Sequence, residues 1–329
     1  MNIGNSKMNL SQFLIEYTPQ NVQTAASHLI AGNLVAFPTE TVYGLGADAC
    51  NSFAVARIYA VKARPSDHPL IVHVSSIDCV DDWARDVPEY ALKLAKQFWP
   101  GPMTLVLKRS DLAGNFVTGG QDTVGLRVPE HIVALELLEA FHKVGGKGIA
   151  APSANRFGQV SPTNAPAVLQ ELGGYLQATD LVLDGGACSV GLESTIIDCT
   201  GDSPRVLRPG AISVQMIEQV TEKAIDQSNS YIRVSGTFAN HYAPAAKILV
   251  NVIPVAGQGF IAHSNHQTPM GVIRLASPNN DEEFARILYS AFRDADTRGI
   301  SEVVVFEPSG IGIAVAIRDR LIKASYGSS

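Results

Sequence analysis

Five short polar clusters stand out in this sequence, each beside a short apolar run. The first is Pro38-Thr39-Glu40-Thr41-Val42-Tyr43-Gly44, behind the run 34–37. Hydroxyls and backbone N–H groups in such a loop suit a small polar ligand; an ordinary Thr-rich turn has the same composition. The second is Lys62-Ala63-Arg64-Pro65-Ser66-Asp67-His68-Pro69. Two cations one residue apart, at a helix end stopped by proline, can clamp a phosphate chain, arginine as a fork and lysine as a point charge. They are equally the cations that favour a helix C-terminus. The third is Arg127, at the end of an apolar strand and before Val128-Pro129. It suits a carboxylate in a cleft or a surface ion pair. The fourth is Ala151-Pro152-Ser153-Ala154-Asn155 followed by Gly158 and Ser161-Pro162-Thr163. Small residues let backbone approach a ligand, and Ser and Asn supply hydrogen bonds. The fifth is Gly191-Leu192-Glu193-Ser194-Thr195, then Leu207-Arg208-Pro209-Gly210.

None of these clusters holds a nucleophile with its base, or a metal-ligand set. What accumulates is cations with hydroxyl and amide donors. That inventory suits a polyphosphate and a small carboxylate bound side by side, with catalysis by positioning and charge stabilisation. GxxxxGK[ST], HExxH and GxSxG are absent. Gly44-Leu45-Gly46-Ala47-Asp48-Ala49 matches G-x-G-x-x-[GA], but six Thr-rich loop residues separate it from the preceding strand, so a dinucleotide site is not expected. His28, His131 and His142 fall in helical patterns and read as structural. His73 lies in a strand, as a core or pocket residue. The four cysteines form no CxxC pair and read as free thiols.

The elements that must carry these clusters alternate. Strands are expected at 34–37, 70–74, 103–107, 123–128, 148–151, 180–183, 194–198 and 205–207. Helices are expected from Asn51 or Ser52 to the Pro65 stop, and at 89–98, 131–142, 164–172 and 212–220. The segment 222–236 is polar and poorly periodic, a linker. Beyond it, strands at 248–253, 271–275 and 303–306 alternate with helices at 281–296 and 312–324. That pattern describes a small α/β domain with a partly parallel sheet. Phe284, Ile287, Leu288, Ala291 and Phe292 share one helix face.

Composition sets the outer bounds. The chain has 329 residues, 46% hydrophobic and 17% charged, with a net charge of −6. That is about two domains' worth of chain with ample core, and not a disordered one. Eight basic and eight acidic residues follow position 246, so the first 246 carry the whole −6. A protein held on nucleic acid by phosphate contacts carries a basic footprint; this chain has none globally. The N-terminus lacks an apolar core for a signal peptide, and no apolar run approaches a membrane span. A cytoplasmic, membrane-free protein is expected.

Taken in order, PTETVYGLGADA (38–49), KARPSDHPLIVHV (62–74), WPGPMTLVLK (99–108), TVGLRVPEH (123–131), IAAPSANRFGQVSPT (149–163), GLESTIIDCT (191–200) and VLRPG (206–210) resemble the YrdC-like family. HYAP (241–244) and the C-terminal unit are similar to that family's long, two-domain form, the threonylcarbamoyl-AMP synthases. The resemblance implies a twisted mixed α/β sheet with a concave, cation-lined cavity over 16–216. It implies a linker closing over the site at 217–246, and a small Rossmann-like α/β domain at 247–326. It implies formation of L-threonylcarbamoyladenylate and pyrophosphate from L-threonine, bicarbonate and ATP with Mg²⁺. A separate tRNA threonylcarbamoyl transferase complex consumes the product; direct tRNA binding is not expected. Carried over residue by residue, Lys62 and Arg64 face the ATP phosphates as catalytic residues. Thr41, His73, Arg127, Ala151 and Ser194 form the threonine pocket. Arg64, His68, Thr123, Ser153, Asn155, Ser161, Arg208, His241 and Tyr242 bind ATP. No residue is assigned to a metal. Two departures are His68, where relatives often carry Asn, and the linker wording SGTFANHYAP. The alternative class is a YrdC-like RNA-binding module without catalysis.

Overall fold

The computed structural model describes residues 10–236 and 242–326, so His241 lies outside the described residues. Two sheets organise the chain. Ten strands form the first: β1 (Leu14–Glu16), β2 (Val35–Phe37), β3 (Gly44–Asp48), β4 (Ile71–His73), β5 (Met103–Lys108), β6 (Thr123–Arg127), β7 (Ile149–Ala150), β8 (Leu181–Asp184), β9 (Thr195–Asp198) and β10 (Arg205–Arg208). Their spatial order is β1-β8-β2-β3-β7-β4-β6-β5-β9-β10. The sheet is mixed: β2–β3, β3–β7, β4–β7, β5–β6 and β9–β10 are antiparallel, the other pairs parallel. The second sheet has β11 (Lys247–Val250), β12 (Gly259–Ile261), β13 (Ile273–Ala276) and β14 (Glu302–Val305) in the order β11-β14-β12-β13, every pair parallel.

The apolar run 34–37 shows why the large sheet reads as continuous hydrophobics. Side chains alternate across a strand. Leu34 and Ala36 pack into one core layer with Leu45, Ile58 and Leu105, and Val35 and Phe37 into another with Val133, Leu137 and Phe141. A strand covered on both faces has no polar face to show.

Helix ends follow side-chain caps. Asn51 accepts from the N–H groups of Phe53 and Ala54 and starts the helix Ser52–Lys62, which ends at the left-handed Ala63 just before Pro65. Asn280 caps Asp281–Thr297 in the same way. His131 is a cap as well: its Nδ1 accepts from the Val133 N–H. All four cysteines are free. No helix among the described residues is long and apolar enough to cross a membrane.

The segment 44–48, to which the sequence pattern assigns no element, is strand β3. It pairs antiparallel with β2 (Phe37 opposite Gly44, Val35 opposite Gly46), so 38–43 is the connection of a hairpin. A Cβ on Gly46 would lie 2.8 Å from Ile149 Cγ2 and 2.9 Å from the Phe37 ring. The glycines serve close packing between strands, which accounts for a G-x-G pattern without a phosphate. Strand β12, only Gly259-Phe260-Ile261, also escaped the sequence reading, being too short to show a period.

The second sheet docks on the first through backbone contact. A Cβ on Gly191 would meet Arg286 Cα at 2.5 Å and Ala285 O at 2.7 Å, so the helix Asp281–Thr297 rests directly on the 191–193 turn. Val42, Val160 and Leu192 accordingly pack into the same core as Phe284, Leu288 and Leu321. Adding one methyl at Gly46 should overpack the β2–β3–β7 contact and destabilise by about 1–3 kcal/mol. Gly46→Ala should lower Tm in a thermal melt, and an unchanged Tm would show that the strands can part at no cost.

Candidate active site

A cavity opens where the ends of several strands meet. The hairpin connection supplies Thr39, Thr41 and Val42, and β3 opens with Gly44. Strand β4 adds Ile71 and His73, β6 ends in Arg127, and the turn after β7 adds Ala151, Pro152 and Ser153. Glu193 and Ser194 precede β9, and Arg208 ends β10. Arg64 comes from the turn after the helix Ser52–Lys62; Ser235 and Tyr242 come from the connection to the second sheet.

At one end the donors suit a small carboxylate. Arg127 is 4% exposed and its Nη2 lies 2.7 Å from Glu40 Oε1, while its Nε donates to Gly101 O at 3.3 Å. Thr41 and Thr39 hydroxyls are 2.8 Å apart, and Thr39 donates to Val42 O, which holds the loop shape. His73 sits edge-on to Phe37, with a buried Nδ1 that has no hydrogen-bond partner. Burial, reinforced by the Arg127 charge, pushes its pKa down to about 3, so the ring is neutral. Ser194 Oγ is 2.8 Å from Thr104 Oγ1.

At the other end are two cations that pair with no carboxylate among the described residues. Arg64 donates from Nη2 to Pro69 O and to Ser235 Oγ, both at 3.0 Å. Burial lowers its pKa to about 10, leaving it charged at neutral pH. Arg208 donates to Ser194 O from Nε and Nη2, to Ser194 Oγ at 3.1 Å and to Ser235 O at 3.0 Å. A guanidinium held at its edges by the backbone keeps its charge in place before any ligand arrives.

Several sequence-expected residues stand elsewhere. Lys62 does not line the cavity: its Nζ donates to Ser153 O at 2.6 Å and to Asn155 O, tying the helix end to the 153–155 turn. Burial, then the neighbouring Arg64, pushes its pKa well down. Asn155 donates to Arg156 O and Gln159 O, holding the same turn from the other side. Ser161 donates to Glu193 Oε1 at 2.6 Å. His68 packs edge-on against Phe157. Thr123 lines an adjoining, mostly apolar cavity with Leu70, Ile71, Val106, Ile196 and Val234. Ile71 and Ser235 border both cavities.

Two acids were not singled out from the sequence. Glu40 and Glu193 both lie inside quoted motifs, but an acid argues against an anion site until its counter-charge is seen. Burial alone would raise the Glu193 carboxyl; Arg320, then Arg208 and the Ser161 hydroxyl, overturn that and hold it down at about 2. Ser235 carried only the signal of a Ser-Gly linker.

Two family models match the chain. A family model described as telomere recombination, for Sua5, YciO and YrdC proteins, matches residues 27–210. A second, described as threonylcarbamoyl-AMP synthase, C-terminal domain, matches 212–325. The chain belongs to the two-domain threonylcarbamoyl-AMP synthase family. It is 38% identical to the threonylcarbamoyl-AMP synthase of Pyrococcus abyssi, over 92% of this chain and 94% of that one. It is 37% identical to that of Bacillus subtilis, over 94% of each. The crystal structure of P. abyssi Sua5 complexed with L-threonine superposes with a TM-score of 0.86, at 36% identity, covering 96% of this chain and 98% of that one. The threonylcarbamoyl-AMP synthase of Pseudomonas putida is 39% identical over 57% of this chain and 97% of that one.

The neutral, buried His73 has a stability signature. Its folded pKa of about 3 lies below the ordinary 6.5, so between those values the unfolded chain binds the extra proton. Its contribution is complete above about pH 6.5 and is lost as pH falls toward 3. His73→Leu should therefore narrow the Tm difference between pH 7 and pH 5; an unchanged difference would mean that the imidazole takes up a proton in the fold.

Proposed function

We propose that the cavity holds L-threonine at its Arg127 end and the ATP phosphates at its Arg64–Arg208 end, with the adenine in the adjoining apolar cavity. The observation that carries this reading is the pairing, in one cavity, of a carboxylate-sized polar pocket with two guanidiniums that have no carboxylate partner among the described residues. Arg127 meets the threonine carboxylate, with Glu40 holding the guanidinium in place. Thr41, Ala151 and Ser194 border the threonine, and the neutral His73 offers a ring nitrogen to its hydroxyl without competing for its carboxylate. The relative complexed with L-threonine supports the amino-acid end.

Threonine and bicarbonate condense to a carbamate with loss of water. A carbamate oxygen then attacks the α-phosphorus, the bond to the β-phosphate bridging oxygen breaks, and pyrophosphate leaves. Arg64 and Arg208 offset the charge that builds on the phosphates, and Ser153 donates beside them. Lys62 acts through the 153–155 turn that it anchors. Thr123 borders the adenine, while Asn155 and Ser161 shape the walls. Mg²⁺ belongs to the nucleotide: both acids at the cavity are already committed to arginines, and no group of three acids, histidines or cysteines among the described residues could cage an ion. The product passes to a separate transferase that modifies tRNA, in the cytoplasm.

Pyrophosphate release from ATP should require both threonine and bicarbonate; release without threonine would remove threonine as the acceptor. Arg64→Ala should lower kcat/KM about 10²-fold, the usual loss for one preorganised donor. A loss of only a few-fold would take Arg64 out of the mechanism.

A further inference from the structure

The C-terminal domain reaches the cavity wall at Glu193 through Arg320 and Tyr289. Arg320, on the helix Ile313–Tyr326, is 0% exposed. Its Nε donates to Glu193 Oε2 at 2.8 Å, and its Nη2 to Pro209 O at 3.1 Å. Its Nη1 meets Asp319 Oδ2 at 2.5 Å. Its guanidinium carbon lies 5.0 Å from the centre of the Tyr242 ring, which in turn stacks on Tyr289. Glu193 takes two further donors, Ser161 at 2.6 Å and Tyr289 at 3.0 Å.

Those contacts fall on three walls at once. Glu193 adjoins Ser194, Pro209 adjoins Arg208, and Tyr242 itself lines the cavity. Ser194 and Arg208 are themselves bonded to one another, so one guanidinium braces the backbone on either side of that bond. The charge matters as much as the geometry. Glu193 is a buried carboxylate at a site built for an anion. If it were not cancelled it would repel the phosphates and draw Arg208, the other cation near it, off Ser194 and Ser235.

We propose that Arg320 is a positioning residue of the nucleotide end: it neutralises Glu193 and so leaves Arg208 in place for the phosphates. The reaction thereby depends on a residue of the C-terminal domain that touches no substrate. The proposal rests on the placement of ATP argued above. It reaches the threonine end only through Ser194, which Arg208 also bonds; Arg127 there has its own partner in Glu40.

The test is steady-state pyrophosphate release on the full chain with three variants: Arg320→Gln, Glu193→Gln and the double variant. The parent must first show threonine-dependent release; its absence would overturn the placement of the substrates, not the role of Arg320. Given that activity, Arg320→Gln should raise KM for ATP about tenfold or more, as partners in one buried network do, and leave KM for threonine within about twofold. The double variant removes both charges and keeps amides that can bond Ser161 and Tyr289. It should regain most of the lost ATP affinity. Equal rises in both KM values, or a KM for ATP that does not move, would overturn the proposal. Should Arg320→Gln not fold, the double variant decides: a folded enzyme with ATP affinity near the parent's supports charge cancellation. A double variant that is unfolded, or no better than Arg320→Gln, overturns it, because the arginine would then only hold the domains together.

Discussion

Arg320 and Glu193 bury one charge of each sign at the contact between the two sheets. Removing a single ion from water costs several kcal/mol, and only a close, fully bonded partner offsets that. Here the partners come from positions 127 residues apart, and each is completed by further donors or acceptors: Ser161 and Tyr289 on the carboxylate, Pro209 O and Asp319 on the guanidinium. The first domain alone would leave Glu193 without this counter-ion, whereas Arg320 has a second acid, Asp319, in its own domain. The pair therefore makes the wall of the cavity a joint product of both domains, although the motifs that line it come almost wholly from the first.

A second buried ion pair, without those completing donors, stands at the other end of the cavity. Arg127 faces Glu40, both nearly inaccessible to water. Arg64 and Arg208, which line the same cavity, bond only to carbonyl and hydroxyl oxygens among the described residues. Two acids are cancelled and two cations are left over, so a chain with net charge −6 carries a local excess of positive charge where an anion is needed. Overall charge speaks to solubility and long-range attraction; pairing in a low-dielectric cleft decides what a ligand meets.

Backbone closeness does the rest. Gly46 lets β2, β3 and β7 meet without a side chain between them, which sets the mouth of the 38–43 connection. Gly191 lets the helix Asp281–Thr297 lie on the turn that presents Glu193 and Ser194. The connection 232–236 is pinned by Gln121, which bonds both the N–H and the carbonyl of Arg233, and by Arg233 on Asp67 O and Gly119 O. Ser235 is thereby held against Arg64 and Arg208 at the border of the two cavities.

Local information was legible where a short segment decides its own conformation. The buried run at 34–37, the caps at Asn51 and Asn280 and the amphipathic helix from Asp281 follow from side chains within a few residues of one another. So does the placement of Thr41, Arg127, Ser194 and Arg208 at strand ends, and the ordered motifs carry the family. The glycine-rich β3 and the three-residue β12 were not legible, because neither shows a period and both are strands only through their neighbours. The direction of Lys62 was not legible either: a lysine at a helix end can reach ligand or backbone, and here two carbonyls lie within reach. Which acid is cancelled by which arginine was beyond the sequence altogether. Residue types and their order determined the chemistry available to this protein. Tertiary structure alone decided which charges remain for a substrate, because that depends on pairings such as Glu193 with Arg320 that exist only once the chain has closed and water has left.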